Sequence, residues 1–145
     1  MISDYYPLKS NIQREFFLFQ SLGEKGSIEK FVMFELLEEN RYNLAFGDIV
    51  ESELRDGVIS NNKDPVKVIS SVAKATYEFF DYHPDATLEI HAVDDKRLRF
   101  YNTIFKRRYQ EIRDTFVLKG LFGDIYEDYK PERFYDGFEL FLKNR

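Results

Sequence analysis

The residues able to do chemistry are few in this chain, and they are scattered. The densest group is a basic run, Lys96, Arg97, Arg99, Lys106, Arg107 and Arg108. Basic side chains on one helix face can track phosphates. Glu111 and Asp114 follow at once, however, and the whole chain carries a net charge of −5. A solvated helix face is therefore the expected reading, and nucleic acid is not an expected partner. Arg97 differs from its neighbours. At helical spacing it falls towards Tyr101 and Ile104 on the apolar side, whereas Lys96, Arg99, Lys106 and Arg107 face outward. An arginine there must be paired or must line a cleft, because an unpaired buried charge is costly. A structural ion pair with a carboxylate of a neighbouring helix or strand is favoured over anion binding.

Candidate general bases are Asp48, Glu53 and Asp56, on or just after a bend in a strand. A base needs a pKa near the working pH and a partner within reach, and no spacing in the sequence supplies either. The two histidines, His83 and His91, stand apart with no companion ligands at metal-binding spacing, so no metal is expected. No serine sits in a nucleophile-elbow pattern, and the absence of cysteine removes thiolate and disulfide chemistry.

These residues hang on a helix–strand–helix stretch from Asp64 to Tyr109. Asp64-Pro65 opens the first helix, with aspartate as the N-cap and proline at the first helical position. Val66, Val68, Ile69, Val72, Ala73, Thr76, Tyr77, Phe79 and Phe80 form its apolar face; Lys67, Ser70, Ser71, Lys74, Glu78 and Asp81 fall on the other. Pro84 ends it near Tyr82-His83. Ala86 to Val93 alternates as a strand, with Leu88, Ile90 and Ala92 inward. Asp94-Asp95 caps a second helix with Leu98, Tyr101, Ile104, Phe105 and Tyr109 as its stripe. A strand between two helices reads as a crossover, so parallel pairing with an earlier strand is expected.

Before this stretch, residues 1–14 read as an extended lead-in. Strands follow at Glu15–Leu22, Ser27–Glu38 and Tyr42–Phe46, most simply an antiparallel meander. The second is apolar on both faces, as in a strand covered on both sides. Gly47 to Val50 continues or bends the third. Asp56-Gly57 reads as a turn, and Val58-Ile59 as a short strand or bridge. After the second helix come a strand at Glu111–Leu118, a glycine-marked loop at Lys119–Asp124 and a last strand at Arg133–Leu142. In that last strand Phe134, Phe138, Leu140 and Leu142 share a side. Phe122, Tyr126, Tyr129 and Tyr135 are a candidate partner surface. At 145 residues, 43% hydrophobic and 17% aromatic, one domain spanning 1–145 with a full core is expected. No signal-peptide pattern and no membrane-spanning run is visible, which points to the cytoplasm.

The order meander, bend, helix, parallel strand, second helix and C-terminal antiparallel pair resembles the GCN5-related N-acetyltransferase (GNAT) fold. Arg97-Leu98-Arg99-Phe100-Tyr101-Asn102-Thr103-Ile104 looks like the helix in which those enzymes often place a tyrosine. Asn62 through Val72, with Arg97-x-x-x-Tyr101, is similar to small uncharacterised bacterial and phage proteins described as acetyltransferase-like. The resemblance implies an α/β domain with a mixed, mostly antiparallel sheet and two main helices. For an enzyme it implies Tyr101 as general acid, with Glu53 as the base, and acetyl-CoA as cofactor near Asn61, Asn62, Lys63 and Arg97. The chain departs from the pattern where the cofactor pyrophosphate would sit. Ser60-Asn61-Asn62-Lys63-Asp64-Pro65 has no glycine, Pro65 lacks an amide donor, and Asp64 brings a negative charge. The expected function is therefore a binding or accessory module without the acetyl-CoA loop and without a cofactor. Its partner would be an unknown protein or a second copy. The alternative is an acyl-CoA-dependent N-acyltransferase with an atypical loop.

Overall fold

A turn that no glycine announces sets the course of the first half of the chain. In the computed structural model, which describes residues 4–56 and 64–144, Glu51 and Ser52 both hold positive φ, 51° and 66°. Two such residues in succession match the twist of a tight hairpin. They fold strand β5 (Glu53–Asp56) back onto β4 (Arg41–Val50), pairing Val50 with Glu53 and Gly47 with Asp56. Val58-Ile59 lies outside the described residues.

The other strands are β1 (Lys9–Ser10), β2 (Phe16–Gly23), β3 (Gly26–Glu38), β6 (Thr87–Ile90), β7 (Phe116–Phe122), β8 (Ile125–Asp128) and β9 (Gly137–Leu142). The helices are α1 (Pro65–Tyr82) and α2 (Asp95–Thr115). The sheet runs β1-β2-β3-β4-β6-β9-β7-β8, with β5 on β4, and its β4–β6 pair is parallel. This is the mixed, mostly antiparallel α/β architecture that the pattern implies. By contact density the chain divides into two compact units, residues 1–35 with 45–83 and residues 36–44 with 84–145.

The first unit is built on aromatic stacking. Val68, Val72, Ala75 and Phe79 recur at helical spacing and are buried. Phe79 stacks on Phe34 with ring centroids 4.3 Å apart, and Phe17 meets Phe34 edge-on at 5.9 Å. β3 is covered only in its middle: Lys30 to Val32 and Phe34 are buried. Ser70 and Ser71, placed on the polar face by the wheel, are also buried. The Ser71 hydroxyl donates to Lys67 O at 2.8 Å and accepts from the Tyr6 amide at 2.8 Å, so its polarity is satisfied locally. Beneath lies a buried ion pair, Lys30 with Asp48.

In the second unit, Leu88, Ile90, Leu118, Phe138 and Leu140 line one face of the sheet. Phe105 of α2 lies on Phe138 at 4.4 Å. Three boundaries differ from the expected ones. Helix α2 continues through Glu111–Thr115, because Ile112 keeps the helical spacing and its carbonyl accepts the Phe116 amide. Only Gly123-Asp124 of the glycine-marked loop is a turn, and Lys119 to Phe122 are strand: Gly120 sits inside β7, where any Cβ would overlap the Tyr135 ring. The last strand starts at Gly137, and Phe134, expected inside, is 52% exposed.

Removing one partner of the buried pair takes a close counter-charge from the other. Lys30→Met is expected to destabilise the protein by about 3–5 kcal/mol, and Lys30→Met with Asp48→Leu to recover most of that loss. Urea unfolding of the three proteins checks it.

Candidate functional site

Glu53 is exposed on β5 in the first unit, and Tyr101 is half-buried on α2 in the second. Asn61, Asn62 and Lys63 lie outside the described residues. Arg97 makes an ion pair, but with the carboxylate that caps its own helix: Nη1 donates to Asp94 Oδ2 at 2.6 Å, and its backbone amide donates to Oδ1 at 2.9 Å. Those bonds and the Arg97 charge hold Asp94 below the usual carboxylate range. Asp48 is the buried partner of Lys30. His83 Nε2 lies 2.8 Å from Gln13 O, and His91 Nε2 lies 3.0 Å from Glu89 Oε1. Among the described residues no group of three His, Cys, Asp or Glu could hold a metal.

Asp64 does not cap α1 through its side chain. Its Oδ2 accepts the Tyr6 hydroxyl and the Ser21 hydroxyl, each at 2.5 Å. The Tyr6 hydroxyl is raised above its ordinary pKa by burial and by the bond to Asp64. The carboxylate is thus tethered at the opening of the helix.

On the second unit's other sheet face the structure assembles a charge ladder that sequence reading missed. Glu89 and Glu139 stand directly opposite one another on β6 and β9. Like charges so placed repel, and Arg41 resolves the conflict. Its Nε donates to Glu89 at 2.8 Å and its Nη2 donates to Glu139. Lys119 stands opposite Glu139 on the far side and pairs with Asp128 at 3.7 Å. Burial pushes Glu89 up, but bonds from His91 and Arg41 outweigh it and bring the carboxyl below its usual range. Tyr126 is raised by burial and by the two glutamates. Every charge here has a counter-charge, so the ladder serves the sheet.

Charges without counter-charges occur elsewhere. Helix α2 buries only Phe105, which leaves a broad outward face carrying Lys96, Arg99, Lys106 and Arg107, all exposed. Arg108 pairs with Glu111, whereas Arg99 and Lys106 join no ion pair among the described residues. These two flank an open groove of about 330 Å³ in which Arg99, Asn102, Thr103 and Lys106 face residues 131–134.

The groove wall is firmly held. Asn102 Nδ2 donates to Tyr135 O at 2.9 Å and to Leu98 O at 2.9 Å, and its Oδ1 accepts the Tyr135 amide at 2.8 Å. The Tyr135 ring is fully buried on Gly120. Its hydroxyl donates to Glu127 at 2.6 Å and accepts the Lys130 amide at 3.1 Å. Arg133 bonds Glu127 at 3.2 Å while its guanidinium lies 4.3 Å above the Phe122 ring. Of the expected aromatic partner surface, Tyr129 and Tyr135 are core, Tyr126 is half-buried and Phe122 is exposed. Phe134, also exposed, lines the groove. The legible signal was the pair Arg99 and Lys106, seven apart with no acid between them on that face.

Burial and the Glu127 bond raise the Tyr135 hydroxyl from its ordinary value of 10 to about 12. The folded-state value lies above the unfolded one, so this contribution is complete below pH 10 and is lost as pH climbs through 12. Tyr135→Phe is expected to lower stability near neutrality and to flatten the fall between pH 10 and 12. Thermal denaturation of both proteins across that range measures it.

No helix among the described residues is long and apolar enough to cross a membrane. Among curated proteins nothing matches this chain, and no solved structure matches it either. Over residues 3–143 it matches a family of unknown function, DUF6934, and the chain belongs to that family.

Proposed function

We propose that this protein is a binding module on a GNAT-like arrangement of elements, with a protein partner and no acyl-CoA chemistry. The observation that carries this reading is the carboxylate fixed at the opening of α1. A helix N-terminus binds phosphate because free amides and the positive end of the dipole meet an anion there. Here Pro65 supplies no amide at the first helical position. Asp64 keeps its carboxylate beside it, accepting hydroxyls from Tyr6 and Ser21. A pyrophosphate brought to this end would meet a negative charge. Asp64 and Pro65 do not suit that cofactor.

The groove of the second unit supports the same reading, because it carries two cations, Arg99 and Lys106, that join no ion pair among the described residues.

Isothermal titration with acetyl-CoA tests the proposal. The wild type is expected to give no binding heat at about 1 mM cofactor, that is, to gain less than roughly 4 kcal/mol. Asp64→Asn, measured alongside, removes the charge but keeps a hydrogen-bonding oxygen. Cofactor binding gained only by the variant identifies the carboxylate as the block. Micromolar binding by the wild type, with acyl transfer to an amine, overturns the module reading.

A further inference from the structure

We infer that the groove between α2 and residues 131–134 seats an acidic peptide segment of a partner protein, with two carboxylates three residues apart held by Arg99 and Lys106. The inference rests on the binding-module reading and adds the ligand class.

The argument begins with spacing. Arg99 and Lys106 are seven residues apart, so at 1.5 Å rise they stand roughly 10 Å apart along α2, two turns on the same face. A peptide in the polyproline II conformation rises about 3.1 Å per residue with three residues per turn. Its residues i and i+3 therefore point the same way about 9 Å apart, which matches the two cations. Both cations are exposed and neither joins an ion pair among the described residues. A carboxylate arriving there displaces no internal partner. Arginine takes it with two parallel bonds and lysine as a point charge.

The opposite wall supplies apolar contact. Phe134 is 52% exposed beside exposed Pro131. Aromatic-lined grooves suit extended peptides, because that conformation is largely pre-formed and loses little entropy on binding. The clamp from Asn102 to Tyr135 holds this wall in place before any ligand arrives, which lowers the cost of association.

Charge selects a peptide over a nucleic-acid strand. Glu132 lines the same groove, and the chain carries −5 overall. A continuous phosphate backbone would meet Glu132 at close range and the net field at long range. A peptide can place an acid at two positions and a neutral or basic residue opposite Glu132. The groove is small, so affinity in the range of about 10–100 µM is expected.

The test uses the full chain and a fluorescein-labelled twelve-residue peptide carrying an acid–x–x–acid core with an aromatic residue between the acids. A permuted peptide of equal composition and a single-stranded oligonucleotide are the comparison probes. Fluorescence anisotropy is expected to show binding of the first peptide and at least about fivefold weaker binding of the permuted one. Arg99→Glu with Lys106→Glu is expected to weaken binding tenfold or more, and a peptide with lysines in place of the acids to regain it. Phe134→Ala is expected to weaken binding about three- to tenfold. The substituted positions are exposed, and circular dichroism verifies that each variant folds. Equal binding of both peptides, indifference to the charge reversal, or tighter binding of the oligonucleotide overturns the assignment. The two proposals fail separately. Acetyl-CoA turnover with peptide recognition intact removes the module reading and leaves the groove. Failure of the peptide without cofactor binding removes the groove assignment alone.

Discussion

The second unit depends on the absence of one Cβ. Gly120 lies inside β7 with the Tyr135 ring laid directly on its backbone, and any other residue there would occupy the ring's space. The ring's burial in turn obliges its hydroxyl to find partners, because an unsatisfied hydroxyl in the core is costly. Glu127 and the Lys130 amide supply them. Asn102 then ties the Tyr135 backbone to α2 from the other side. One close approach thus fixes where residues 130–136 run, and with them the wall of the groove and the position of Arg133.

The first unit uses polar burial differently. Lys30 and Asp48 form an ion pair inside an aromatic core. Replacing such a pair by apolar residues is often neutral or stabilising, so its presence is weak evidence for stability. Its effect is on register. A one-residue slip of β3 would turn Lys30 to the other sheet face, away from Asp48. The Arg41 fork does comparable work in the second unit, since it makes the facing glutamates of β6 and β9 tolerable only in their present alignment.

These two arrangements bear on how a site is recognised. Titratable groups gathered together are a common sign of function, and by that sign alone the Arg41 ladder would be the foremost candidate. Its charges are matched, however, and such a set makes no demand on a ligand. Arg99 and Lys106 are fewer, yet they join no ion pair among the described residues and flank a concave surface. Net charge hid them, because an average over the chain says nothing of how charges are distributed on one helix face.

The local patterns carried a large part of the fold. Asp64-Pro65 and Pro84 bracketed α1, since proline acts on its own residue and the one before it. Period-two alternation located β6, and the helices on either side of it implied its parallel partner. Phe105, at helical spacing, is indeed the buried residue of α2. Tertiary structure decided what sequence spacing could not reach. The hairpin at Glu51-Ser52 holds positive φ without the glycine or asparagine that favours it, and pairing with β4 keeps it there. Asp64 looked like a helix cap, but Tyr6, 58 residues away, offers its carboxylate a better partner. Arg41 meets glutamates 48 and 98 residues distant. Caps and periodicity act over one or two turns of chain. These bonds exist only once distant strands are side by side, and that juxtaposition made the groove.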